Sequence, residues 1–277
     1  MNEDKYIQSD LEKLLEKHNM SEDELKVLLK QAKKPKLNTH SEHDHFYGGR
    51  HIKYGLISDL HLGHKKVDMR CIEDAIKVFN KKSVDAVYCP GDIIEGMSNR
   101  DGHIYELDVI GVTNQLDFAT DVLSNFNKDF YFILGNHDEW SMKKSNQGVH
   151  IGKELERRLP NLHYLGDYKA DINLSDNVKM RMTHEGSTCY ALSYSIQKRI
   201  NALEGGQKPN ILHNGHIHKA LYMFYRNIHA TESGTCERQT DFMAMKGAPA
   251  HVGFWEIDVW FNKNGITKFQ PTFYPYY

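Results

Sequence analysis

The chain has 277 residues, 40% of them apolar, enough for one large α/β domain or for a domain plus an appendage. A formal net charge of -2 excludes the global positive field of a dedicated nucleic-acid binder, so any contact with a polyanion has to be local. The four cysteines lack paired or zinc-knuckle spacing, no apolar run approaches the roughly 18 residues of a membrane helix, and MNEDKYIQSD lacks the regions of a signal peptide. These features predict a reduced, cytoplasmic protein with no membrane contact.

Residues 1–36 read as a helical hairpin. Ile7, Leu11, Leu14 and Leu15 form one apolar stripe and Leu25, Leu28 and Leu29 another, with most other positions charged. Ser21 and Glu24 make a capping box for the second helix, and Pro35 ends it. Such a hairpin serves either packing and homodimerisation or contact with a partner protein or nucleic acid. The basic KKPK opens a linker over 37–50, and the main domain runs from 51 to 277.

From Lys53 onward strand and helix patterns alternate. KYGLISD is followed by a helix over 67–82 carrying Ile72, Ile76 and Phe79, then DAVYCPGD, a helix over 107–126, and DFYFILGNHD. That order predicts βαβ units and a largely parallel inner sheet. A helix over 148–159, strands NLHYLG and VKMRMTH, a helix over 191–203 and strand NILHNGH follow. In HVGFWEIDVWF, Trp255, Ile257, Val259 and Phe261 alternate on one face, and NKNG then ITKFQPTF complete a hairpin expected to extend a second sheet.

Polar residues collect where these strands end, the edge at which open α/β sheets bind ligands. The first strand delivers Asp59 and His61, the second Asp92, the third Asn136, His137 and Asp138; later strands add His184, His216 and His218. Imidazole, carboxylate and amide oxygen without thiolate suit two divalent ions such as Mn, Fe, Zn or Ni better than a structural zinc. Asp92, reached directly after a glycine turn, is the natural bridge, because one carboxylate can hold two cations and relieve their repulsion.

The ordered set Asp59-Leu60-His61, Gly91-Asp92, Gly135-Asn136-His137-Asp138, His184 and Gly215-His216-Ile217-His218 closely resembles the calcineurin-like metallophosphoesterases, over about Ile52 to Phe261. The resemblance implies an α/β fold, a four-layer α/β/β/α sandwich, with two metal ions, manganese being the expected pair. Carried over by position, one ion would be held by Asp59, His61, Asp92 and His218, the other by Asp92, Asn136, His184 and His216. His137 would meet the leaving group, with Asp138 orienting its ring or holding its charge. Two neighbouring cations make hydroxide from water at neutral pH and clamp phosphate oxygens.

Serine/threonine phosphatases of this superfamily carry arginine after the Gly-Asp motif and Glu after Gly-Asn-His; GDIIEGM and GNHD have neither. The segment from His184 to Lys219 resembles microbial and phage proteins related to the nuclease subunit of the double-strand-break repair complex and to the archaeal polymerase small subunit. That implies a DNA-repair exonuclease or endonuclease. The alternatives are a phosphodiesterase or phosphatase for a small nucleotide, and a non-enzymatic subunit of a DNA-processing complex. Lys65, Lys66, Arg70, Arg100, Lys143, Lys144 and the KKPK linker are the candidate phosphate contacts. Tyr190, Tyr194 and Gln197 are expected beside His184, and the 95–106 loop, with His103, is expected to select substrate.

Overall fold

The run FYFIL forms β4 (Phe130–Leu134), and like β3 (Ala86–Cys89) it shows no polar alternation because both of its faces are covered. With β2 (His51–Leu56) and β5 (Leu162–Asp167) these strands form a parallel array in the order β2-β3-β4-β5. The connections are α1 (Met69–Lys81), α2 (Val112–Leu123) and α3 (Ile151–Arg158). Their apolar stripes, including Ile72, Phe79, Leu116 and Leu155, pack on Val87, Phe130, Phe132 and Leu134. The computed structural model describes residues 41–47, 49–81, 84–144, 148–186, 191–206 and 208–277, with Leu15, Lys17 and Ser21 besides.

The second sheet is mixed. It comprises β1 (Ser41–Asp44), β6 (Lys169–Ser175), β7 (Val178–Thr183), β8 (Ile211–Asn214), β9 (Ala220–Tyr225) and β10 (Ile228–Ser233), in the order β1-β6-β7-β8-β10-β9. Between the sheets lies an apolar slab. Ile52, Tyr54, Leu56, Tyr88 and Ile133 meet Ile172, Leu174, Met180, Met182 and Ile211 there. On the outer side, α4 (Tyr194–Asn201) sets Ile196 and Ile200 against Leu212, Ile228 and Ala230. The layers are therefore helix, sheet, sheet, helix, as the family resemblance implies.

Two segments depart from the sequence reading. The terminal hairpin, β11 (Gly253–Asn262) and β12 (Gly265–Pro275), extends the first sheet instead of a second one, since β11 pairs antiparallel with β2, Ile257 opposite Tyr54. Its face of Trp255, Ile257, Val259 and Phe261 is buried in the slab as the alternation requires; local pattern fixes a strand's face and not its neighbour. Residues 41–44, read as linker, pair in parallel with β6 as an edge strand. Four polar residues, SEHD, carry no apolar period to signal it.

The chain separates into units Met1–Asn38 and Thr39–Tyr277. The expected hairpin lies in the first, outside the described residues except for helical Leu15 and Lys17 and for Ser21. Among the described residues no helix is long and apolar enough to cross a membrane.

Candidate metal centre

The strand ends of both sheets converge on one cleft. Asp59 and His61 follow β2, Asp92 follows β3, Asn136 and His137 follow β4, His184 follows β7, and His216 and His218 follow β8. Five of these residues hold left-handed backbone: Asp59 (φ 52°), His61 (49°), Asp92 (52°), His216 (81°) and His218 (53°). Each such turn costs a non-glycine residue about 1–3 kcal/mol and persists only where its surroundings impose it. Here the loops brace one another. The amides of Asp59 and His61 donate to the carbonyls of Gly91 (3.0 Å) and Asp92 (3.1 Å). The His216 amide donates to Asp59 Oδ1 (2.9 Å) and the His137 amide to Asp92 Oδ1 (2.9 Å).

Gly135 is required by contact. A Cβ there would lie 2.1 Å from Asp92 Oδ1 and 2.6 Å from His184 Nε2, inside both side chains. The sequence Leu-Gly-Asn-His thus lets the third strand end approach the second closely enough to share Asp92.

Ligand atoms from Asp59, His61 and His218 lie within 4.8 Å of one another, as do those from Asp92, His184 and His216. His61 Nε2 is 3.0 Å from His218 Nε2 and 3.8 Å from Asp92 Oδ2, so Asp92 faces both groups. His184 Nδ1 is held by the carbonyl of Pro90 (2.6 Å), which directs Nε2 toward Asp92. That nitrogen lies 3.0 Å from Asp92 Oδ2, and the buried Asn136 Oδ1 accepts no hydrogen bond. The Asp92 carboxylate draws a positive charge to this spot, a proton on His184 or a metal ion that replaces it. The residues therefore fit divalent cations, hard and borderline donors on one wall.

The electrostatics agree. Burial opposes charge on Asp92, yet His184 and then His137 hold its carboxyl far below the usual carboxylate range. Burial likewise opposes charge on Asp59, and the hydrogen bond from His218 overrides it. His216 is pushed down to about 4 by burial and then by His184, so it is a neutral imidazole at pH 7.

His137 Nδ1 is held by Glu95, 3.0 Å from its carbonyl and 3.2 Å from Oε2, which leaves Nε2 for the cleft. Burial works against protonation of this ring, but the Glu95 and Asp92 charges raise its pKa. Asp138 takes no part in that orientation. Its carboxylate accepts from the amides of Ile93 (3.0 Å), Ile94 (3.0 Å) and Gly135 (2.9 Å), and so ties the Asp92 loop to the Asn136 loop.

Sequence reasoning passed over Glu95 and Glu237, both buried. Glu95 Oε2 is 2.7 Å from His61 Nδ1 and Oε1 is 2.8 Å from His103 Nε2, so one carboxylate steadies His61 and His137 while His103 steadies it. His103 is thus buried behind the cleft, not a substrate contact. Glu237 Oε1 lies 2.8 Å from His64 Nδ1, and Oε2 lies 3.8 Å from His218 Nδ1. An acidic residue three beyond Asp92, in GDIIEG, could have flagged Glu95; nothing local flags Glu237.

The remaining candidates divide. Arg100 lines the cleft and is paired with Glu106, while Arg70 is spent on Asp68 and Lys65 Nζ donates to the Tyr105 carbonyl. Tyr194 is exposed, and Gln197 bonds Ser193 on its own helix. Tyr190 and the side chains of Lys143 and Lys144 lie outside the described residues. The cleft encloses ≈ 740 Å³, with Trp140, Phe242 and Lys246 also on its walls.

Residues 52–241 match the calcineurin-like phosphoesterase superfamily domain. The chain belongs to this superfamily. Calcineurin-like phosphoesterases use divalent metals, in keeping with the donor groups above. Curated relatives include the DNA polymerase II small subunits of Halobacterium salinarum, 23% identical over 235 residues covering 70% of this chain and 45% of that protein, and of Archaeoglobus fulgidus, 25% identical over 231 residues covering 67% and 46%. The chain spans about half the length of these relatives. A solved archaeal phosphodiesterase is 16% identical with TM-score 0.47, covering 80% of this chain and 100% of its own.

Proposed function

We propose that this calcineurin-like phosphoesterase is a two-metal phosphodiester hydrolase acting on DNA, with manganese as its metal. The observation that carries the reading is Asp92. It stands between two groups of nitrogen and oxygen donors, and Asn136 Oδ1 on the same cleft wall accepts no hydrogen bond. One ion would be held by Asp59, His61, Asp92 and His218, the second by Asp92, Asn136, His184 and His216. Bound there, the ions supply a nucleophile from water near neutral pH and neutralise phosphate oxygens.

The chain's own residues do the rest. His137, fixed through Nδ1 by Glu95, carries a proton on Nε2 toward the cleft and gives it to the departing oxygen. Asp138 keeps the two loops in register through three backbone amides. Arg100 and Lys246 at the cleft wall supply positive charge for a neighbouring phosphate. The choice of DNA draws on the polymerase small-subunit relatives and on these cations. A second reading, a small nucleotide substrate, is favoured by the cleft's ≈ 740 Å³, ample for one nucleotide.

Incubation with Mn and parallel substrates separates them: single- and double-stranded linear DNA, cyclic nucleotides and a chromogenic bis-phosphodiester. DNA breakdown is expected. Turnover of small substrates alone, with DNA left intact, would leave the nucleotide reading standing in its place.

A further inference from the structure

At the mouth of the cleft, the polar 95–106 loop faces the short α5 (Asp241–Met245), which is started by Thr240, whose hydroxyl accepts from the Met243 amide (3.1 Å). This cap turns Phe242 outward onto the cleft wall, where its ring is 43% exposed. An aromatic ring left that open is not serving a core. Arg100 Cζ lies 5.1 Å from the ring centroid and Lys246 Nζ 5.8 Å from it. Both cations line the same cleft as Asp92 and His137. Arg100 is also paired with Glu106, a partially exposed carboxylate that a phosphate can replace.

An open aromatic ring with two cations over it, on the wall of a phosphoester site, matches one chemistry closely: phosphates draw the cations aside and leave a ring face to a base. A base stacks on the ring while the phosphates on either side of it meet the cations. A base inside a duplex offers only its edge in the groove, and its face reaches such a ring only when it is unpaired or frayed at an end. We propose that Phe242, with Arg100 and Lys246, forms a subsite for an unpaired nucleobase beside the phosphodiester being cleaved, so that the substrate is a single-stranded DNA end. The inference rests on the phosphodiesterase reading and narrows it to an unpaired strand.

Binding in EDTA, where nothing is cleaved, tests the subsite directly. Fluorescence anisotropy of the full chain is measured on a short labelled oligodeoxyadenylate, on an abasic strand of the same length, and on the corresponding duplex. The wild type is expected to prefer the adenylate strand to the abasic one by about tenfold. Phe242→Ala is expected to bind both at the abasic level, and Phe242→Trp to keep the preference. Arg100→Gln with Lys246→Gln should weaken both strands alike and flatten the salt dependence. A wild type that does not distinguish the two strands, a Phe242→Ala variant that still does, or duplex binding that depends on Phe242 overturns the subsite. Hydrolysis of the bis-phosphodiester with Mn is read separately; its absence overturns the phosphodiesterase reading, while the strand preference still decides the subsite.

Discussion

Leu56, Tyr88, Ile133 and Ile211 lie fully buried between the sheets, in strands paired with their neighbours. A few residues further along the same strands come Asp59, Asp92, Asn136 and His216, where the pairing ends and three of the four residues are forced into left-handed backbone. The slab obeys volume. Side chains there are exchangeable for others of like size at modest cost. The floor obeys position, because each side chain is aimed by a strained turn and a braced loop. The contrast teaches that the rigid slab makes the strained floor affordable, and that damage to each should be read out differently.

The largest separation is expected from His137→Ala. With a poor leaving group its turnover should fall about 10²–10⁴-fold, with far less loss on an activated aryl diester and little change in unfolding midpoint. Equal losses on the two substrates would remove its proton-donor role. Ile257→Ala probes the slab: about 2–5 kcal/mol of stability should be lost in urea unfolding, with kcat per folded molecule unchanged. If activity fell in step with the core, slab and floor would not be the separate regions described above. Glu95→Gln sits between the two, since it steadies both His61 and His137 from behind. A loss of about 10–100-fold in Mn affinity by calorimetry is expected, and wild-type affinity would count against that support.

The smallest effect is on pH. Burial alone would lower the His184 pKa, but the Asp92 charge raises it to about 9 in the metal-free chain. A folded pKa above the unfolded value of 6.5 stabilises the metal-free chain below pH 6.5, and that stability is lost as pH rises through about 9. Metal must displace this proton. Mn binding should therefore release protons and tighten between pH 6.5 and 9, which calorimetry in two buffers of different ionisation heat would check. Binding with no proton uptake or release would argue against His184 as the group displaced.

Much of this arrangement was legible in the sequence because it repeats a local rule. An apolar run followed by glycine and a polar residue marks β3 and β4 and names the residues that meet above them. The α1 stripe of Ile72, Ile76 and Phe79 was equally plain. Legibility failed where structure depends on distant partners. β9 and β10, in ALYMFYRNIHATES, carry no turn residue stronger than Arg226-Asn227, whose left-handed backbone makes the hairpin. The sheet joined by β11 is decided by its pairing with β2, some two hundred residues earlier in the chain. Asp138 reads as a neighbour of His137, yet its carboxylate turns to backbone amides. Glu237 reaches His64 and the vicinity of His218 only through the fold.

The central claim is that Asp92 is shared by two metal ions. Anomalous diffraction from crystals of the Mn-loaded chain tests it most directly. Two peaks are expected, one among Asp59, His61 and His218 and the other among Asn136, His184 and His216, with Asp92 between them, and the Asp92→Asn variant should lose at least one. A single peak, or two peaks neither of which touches Asp92, would contradict the account.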